Sequence, residues 1–280
     1  MQLSFLKMHG AANDFVVIDH RRPFLEEPLG PLVKRLCDRR RGVGADGVLL
    51  LEADPELDFA MRYWNADGGV ADYCGNGARC LARRALDLGL GRGGEVKFRT
   101  AVGVQSARAK GDRVEVRFGS VAAPERSAGL EAAGRTFTGW FVRAGVPHLV
   151  IEVPRVRDVP LAEWAPPLRR HPRFGAEGAN VDFVEPRGEG AIAMRTYERG
   201  VEGETLACGS GAIASALSRA AEGCSSPVRV ETAGGDALDV RWRSQDGEFE
   251  VWLEGPAEIA FAGQWPLDVA ERVETESRGA

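Results

Sequence analysis

One six-residue pattern occurs twice, and it restricts the architecture more than any other feature of the chain. Tyr73-Cys74-Gly75-Asn76-Gly77-Ala78 returns 134 residues later as Ala207-Cys208-Gly209-Ser210-Gly211-Ala212. Other fragments repeat in the same order. Upstream, Ala60-Met61-Arg62-Tyr63 matches Ala193-Met194-Arg195-Thr196, and Asn13-Asp14-Phe15-Val16 echoes the stretch from Asn180 to Val184. Downstream, Thr100-Ala101-Val102-Gly103 echoes Thr232-Ala233-Gly234-Gly235, and Asp112 to Gly119 echoes Asp246 to Gly255. Collinear echoes imply two homologous halves, each with one Cys-Gly-x-Gly-Ala. Two long repeats make paired lobes, because a solenoid needs at least three short units. A chain of 280 residues has room for both.

Runs rich in Val, Ile, Leu and aromatic residues predict strands over 14–19, 48–52, 57–64 and 113–118. In the second half they predict strands over 149–153, 191–197, 228–232 and 249–253. After each Cys-Gly-x-Gly the period changes to that of a helix. Ala78, Leu81, Ala82 and Ala85 share one face, with Gly89 as the stop; Ala212, Ser215, Ala216 and Ala220 share another, stopped by Gly223. Faces made of such small residues predict a helix held inside a curved sheet. Prolines at 154, 160, 166, 167 and 172 predict an irregular connection over 154–175, and the halves are expected to join near 119–124. The charged, polar tail after 270 reads as a mobile end.

The formal net charge is -5 and no basic block exceeds Arg39-Arg40-Arg41, which argues against a nucleic-acid partner. No stretch has the ~18 apolar residues of a membrane span. The first nine residues lack a secretory pattern, so the expected location is cytoplasmic. Five cysteines, an odd number at irregular spacing and without a C-x-x-C pair, suggest neither a disulfide framework nor a metal site. Cys37, Cys80 and Cys224 are assigned to packing.

A cysteine at a helix start faces unpaired N–H groups and a partial positive charge. Its thiol is therefore expected to ionise more readily. The flanking glycines let the backbone approach an anion. Cys74 with Gly75 and Asn76 could hold a carboxylate while the sulfur faces the neighbouring carbon, and Cys208 with Gly209 and Ser210 could do likewise. Pseudo-twofold halves would bring both helix starts to one cleft. Two thiols on opposite sides of one carbon suit racemisation: one removes the α-proton and the other delivers a proton to the opposite face. N–H groups on the carboxylate would stabilise the enolate charge. With no lysine–pyridoxal motif and no dinucleotide loop, no cofactor is expected.

These residues resemble the diaminopimelate epimerase family. The resemblance rests on Met8-His9-Gly10-Ala11-Ala12-Asn13-Asp14-Phe15, on Asn65-Ala66-Asp67-Gly68 with Cys74-Gly75-Asn76-Gly77-Ala78-Arg79-Cys80, and on Tyr197-Glu198-Arg199-Gly200 with Glu204-Thr205 and Ala207-Cys208-Gly209-Ser210-Gly211. It extends from residue 1 to about 268. It implies an α+β fold of two pseudo-symmetric lobes, each a strongly curved mixed sheet wrapped around a central helix. The implied division is 1–119 plus 264–280, carrying Cys74, and 120–263, carrying Cys208. The implied reaction is cofactor-independent interconversion of L,L- and meso-diaminopimelate, on the route to lysine and peptidoglycan, by a homodimer.

The resemblance also implies roles. Cys74 and Cys208 would be the acid–base pair, and the backbone N–H groups of Gly75, Asn76, Gly209 and Ser210 would bind the α-carboxylate. Glu198 would take the reacting ammonium and Arg199 a substrate carboxylate. Asn13, Asn65 and Asn180 would grip the distal end, His148 and Glu198 would tune the thiols, and Phe261 would lie at the dimer contact. Members often carry Gly-Asn-Pro-His where this chain has Gly145-Val146-Pro147-His148, and a polar residue at Gly47. Those departures imply that water or backbone holds the distal group.

Other readings fit less well. Proline racemase-like enzymes show Cys-Gly-His and later Asp-x-Ser-Pro-Cys-Gly, whereas here Asn76 follows Gly75 and Leu206-Ala207 precedes Cys208. Phenazine-type isomerases lack the cysteine pair. A binding protein without chemistry has no use for two such thiols, and a hydrolase using one cysteine with His148 leaves the second motif unexplained.

Overall fold

A computed structural model describes residues 2–267 as two compact units. The first takes in the described residues up to Val116 and from Ala257 onward; the second is Arg117–Pro256. The stretch 268–280, which the sequence reading gives to the first lobe as a charged tail, lies outside the described residues.

In the first unit, β1 (Gln2–Gly10) and β2 (Asn13–Asp19) form a hairpin, and β18 (Glu258–Pro266) pairs antiparallel with the other edge of β1. Helix α1 (Gly30–Cys37) follows. Then β3 (Gly47–Glu52) runs parallel to β2, β4 (Phe59–Asn65) runs antiparallel to β3, and the short β5 (Val70–Ala71) folds back on β4. Helix α2 (Gly75–Asp87) connects to β6 (Glu95–Thr100), parallel to β4, and β7 (Gly103–Lys110) and the start of β8 (Arg113–Ala122) extend the sheet antiparallel. The sheet is mixed because two helical crossovers, α1 between β2 and β3 and α2 between β5 and β6, bring strands back parallel, while shorter connections join the other consecutive strands.

The second unit repeats this order. β9 (Glu125–Ala132) pairs with β10 (Arg135–Ala144), and β10 with β11 (Val146–Glu152). β12 (Asn180–Pro186) runs parallel to β11, β13 (Ala191–Glu198) antiparallel to β12, and β14 (Gly203–Thr205) folds back on β13. Helix α4 (Gly209–Ala221) leads to β15 (Val228–Glu231), parallel to β13, then antiparallel to β16 (Ala237–Gln245) and β17 (Glu248–Pro256).

Both central helices are buried almost all round. Asn76 to Ala82 and Ala85 of α2 are buried, as are Gly211 to Ser218 of α4. The buried run of α4 carries no charged residue and must be enclosed, whereas α2 has a polar stripe of Asn76, Arg79, Arg83 and Asp87 that reaches the surface at its last turn. In both, the small side chains let strands close round the helix. Ala78, Leu81, Ala82 and Ala85 pack against Met8, Phe15, Leu49 and Phe98, and α4 packs against β10, β11, β15 and β16. Gly89 and Gly223 sit just past the helix ends at φ 75° and 92°, the left-handed stop that glycine adopts without cost.

Two expectations need correction. The connection 154–175 is not irregular: Leu161–Arg169 forms α3 despite Pro166 and Pro167 inside it. Leu161, Ala165 and Leu168 fall on one buried face, and that packing outweighs the missing donors. The echo between Asn13 and Asn180 is not a structural equivalence. Phe15 pairs with Gly47 and Leu49 with Tyr63, whereas His148 pairs with Asn180 and Asp182 with Thr196. Matching positions are therefore 133 residues apart, and the counterpart of Asn13 is Val146. Among the described residues, no helix is long and apolar enough to cross a membrane.

Candidate active site

Cys74 and Cys208 each occupy the N-cap of a central helix, in extended backbone at φ -143° and -128°. Gly75 and Asn76, and Gly209 and Ser210, are the first helical residues, whose N–H groups have no acceptor within the helix. A Cβ on Gly77 would stand 3.0 Å from Leu49 Cδ2, and one on Gly211 2.6 Å from Asp182 Oδ1. The second glycine of each motif therefore lets the helix start press onto the strand beneath it.

In the first unit, the β1–β2 turn places Asn13. Its amide Nδ2 donates to Asp46 Oδ2 at 2.7 Å, which turns Oδ1 toward Cys74 and Asn76. The Cys74 thiol donates to that Oδ1 at 3.5 Å and Asn76 Nδ2 donates to it at 3.2 Å. Arg79 Nη2 donates to Asn76 Oδ1 at 2.8 Å, fixing the second amide. Arg79 is wholly buried in α2, and burial pulls its guanidinium down against the nearby thiols, which push it up. Asn65 ends β4 and is exposed, outside this network.

The second unit assembles a more polar set. The Cys208 sulfur accepts from Gly211 N–H at 3.4 Å and lies 3.4 Å from Ser210 Oγ. Ser210 Oγ is 3.0 Å from His148 Nε2, and His148 Nδ1 is 2.7 Å from Asp182 Oδ2. Thr196 Oγ1 donates to Asp182 Oδ1 at 2.6 Å. Asn180 Oδ1 accepts from Arg199 N–H at 2.7 Å, which leaves its Nδ2 3.3 Å from His148 Nε2. Glu198 ends β13, half-buried. The Arg199 guanidinium pairs with Glu177 at 3.0 Å.

The helix-start argument for a readily ionised thiol does not carry over to Cys208. Burial raises its pKa well above the ordinary range, Glu198 and Asp182 add to the rise, and the bonds from Ser210 and Gly211 oppose it. Cys37 and Cys80 are buried in apolar surroundings, which push them to about 11 and about 12, and Cys224 is partly exposed. Val146 opens β11 half-buried. At Gly47 a side chain is excluded, because a Cβ would meet the Trp64 carbonyl oxygen at 2.4 Å. Phe261 on β18 is half exposed, with its ring edge toward Phe5 at 6.2 Å.

Sequence reasoning missed Asp46, Asp182 and Thr196. Strand alternation carried the missing signal for Asp182: in Asn180-Val181-Asp182 it lies on the same face as Asn180. An acidic residue amid an apolar strand run needs a buried partner.

The sequence matches the family model described as diaminopimelate epimerase over residues 5–123 and 140–260. It is 39% identical over 282 residues to the diaminopimelate epimerase of Aquifex aeolicus (strain VF5), covering 96% of this chain and 100% of the relative. It is 35% identical over 284 residues to that of Moorella thermoacetica, covering 95% and 100%. Among solved structures, a phenazine biosynthesis protein of the PhzF family from Bacillus anthracis superposes with a TM-score of 0.75, covering 95% of this chain and 100% of that one. At 13% identity that likeness shows the fold alone.

Proposed function

Since the chain belongs to the diaminopimelate epimerase family, we propose that it interconverts L,L- and meso-diaminopimelate by moving a proton across one α-carbon between two cysteines. The observation that carries this reading is a cysteine at the N-cap of the central helix in both units. In the mechanism, the thiolate of one of Cys74 and Cys208 takes the α-proton and the thiol of the other returns a proton to the opposite face. The N–H groups of Gly75, Asn76, Gly209 and Ser210 bind the α-carboxylate and stabilise the enolate charge as it develops. Glu198 takes the reacting ammonium and Arg199, released from Glu177, a carboxylate. Asn13, Asn65 and Asn180 hold the distal end, with water or backbone serving where Val146 and Gly47 supply no polar side chain. His148 and Glu198 set the ionisation of the thiols. Five free cysteines suit a reducing, cytoplasmic setting. The active form is a homodimer through β18.

The test is NMR of the reduced protein with L,L-diaminopimelate in deuterium oxide, without added cofactor. Loss of one α-proton signal with growth of the meso isomer is the expected result. Cys74→Ala and Cys208→Ala should each lower turnover at least ~100-fold, the scale of a lost general acid or base. Near-normal turnover by either variant would sink the two-thiol mechanism.

A further inference from the structure

Superposing matching positions exposes a difference between the two thiols. Beneath α2 in the first unit lie Leu49, Phe15 and Tyr63, all buried in the apolar core. At the positions 133 residues on stand Asp182, His148 and Thr196, also buried, and they are hydrogen-bonded to one another in a row. The scaffold is the same, but the second unit lines it with a carboxylate, an imidazole and a hydroxyl where the first has a leucine, a phenylalanine and a tyrosine. Burying a carboxylate and an imidazole at zero exposure is costly unless both are satisfied, so their retention beneath one thiol and not the other calls for a use.

We infer that Asp182, His148 and Ser210 form a buried proton relay to Cys208, with Asp182 as its positioning residue. This rests on the reading of Cys208 as an acid–base group. At rest the Cys208 S–H donates to Ser210 Oγ, Ser210 O–H donates to His148 Nε2, and His148 Nδ1–H donates to Asp182. Asn180 Nδ2 beside Nε2 favours that orientation, since it meets a lone pair and not a proton. When Cys208 ionises, its S–H bond breaks and the proton joins Ser210 Oγ. The original Ser210 O–H bond breaks as its proton joins His148 Nε2. The products are a thiolate and an imidazolium beside the Asp182 carboxylate, with no change in total charge and no proton drawn from outside. Asp182 holds the tautomer in which Nε2 can accept and stabilises the cation that forms, as the carboxylate of a catalytic triad does. The charged or titratable groups facing Cys208 are Glu198 from β13, Asp182 from β12 and His148 from β11.

The sign of one measurement separates this relay from a purely electrostatic or packing role. Through space, Asp182 opposes ionisation of Cys208, so removing its charge should lower the midpoint at which the thiol ionises. Through the relay, removing it should raise that midpoint. The full chain labelled with [3-13C]cysteine reports each thiol by its Cβ signal, and Cys208→Ser identifies the signal of Cys208. In Asp182→Asn the Cys208 midpoint should rise by about one pH unit, a tenfold loss of thiolate at a given pH. Asp182→Ser removes the same charge with less bulk and decides the matter should the first variant fail to fold. On a Ser210→Ala background, where the relay is cut, the same substitution should lower the midpoint instead. A midpoint that falls or stays put in a folded Asp182 variant overturns the relay. The titration needs no substrate, so absence of turnover with diaminopimelate would overturn the proposed reaction and leave this test standing.

Discussion

Asp14 shows how much one residue near the first thiol contributes to stability. Burial alone would raise its pKa, but hydrogen bonds from Arg39 and Lys7 and their charges hold it at about 2, against an ordinary 3.8. Lys7 also donates to the Gly44 carbonyl, and Arg39 joins Asp14 to Asp46, the partner of Asn13. A folded-state value below the unfolded one means the stabilisation is fully present above pH ~4 and is lost as pH falls toward 2. Its size is on the order of 2 kcal/mol at most, less what solvent takes where Arg39 is 58% exposed. Asp14→Asn should therefore be less stable at neutral pH and flatten the fall in urea midpoint between pH 5 and 3. A wild-type midpoint that does not drop over that range would contradict the assignment.

At the scale of elements, the two-residue turn between β1 and β2 is strained. Gly10 pairs with Asn13, and the intervening Ala11 and Ala12 both have positive φ, 57° and 62°. That is the type I′ turn, which normally carries Asn-Gly. Each alanine there costs about 1–2 kcal/mol, partly offset by its smaller loss of backbone freedom compared with glycine. The next residue is Asn13, so the strain holds the amide against Cys74. Ala12→Gly should raise unfolding stability by roughly 0.5–1 kcal/mol and lower kcat by freeing Asn13; a lower Tm would refute the strain. Such strain was not legible in Gly10-Ala11-Ala12-Asn13, because alanine carries no turn signal. The two central helices were legible, since small apolar residues recur every three or four positions and glycines close each run. Helix α3 was not, because its helical face has only three buried residues and two prolines dominate its local signal.

At the scale of the whole molecule, the repeat was legible through the Cys-Gly-x-Gly motifs and the Ala-Met-Arg match, both near one offset. It misled at Asn13 and Asn180, where similar residues lie on different strands of the repeat. Only strand register reveals that Asn13 matches Val146 and that Leu49 matches Asp182, so the departure at Val146 and the polar row beneath Cys208 belong to one divergence between the halves. Topology also bears on the proposed assembly. Among the described residues β18 pairs only with β1, which leaves one edge of N–H and C=O groups open. Glu258 to Ala262 are exposed, including Ile259 at 47% and Phe261 at 48%. An open edge with apolar side chains is a template for pairing unless a partner covers it, which supports the proposed dimer. Phe261→Glu puts a charge there that costs little on an exposed monomer surface and far more when buried against a second copy. Sedimentation velocity should show dimer for the wild type and monomer for the variant at the same concentration. A thermal unfolding scan checks that loss of the Phe5 contact has not unfolded it. A variant that stays dimeric would move the contact away from β18.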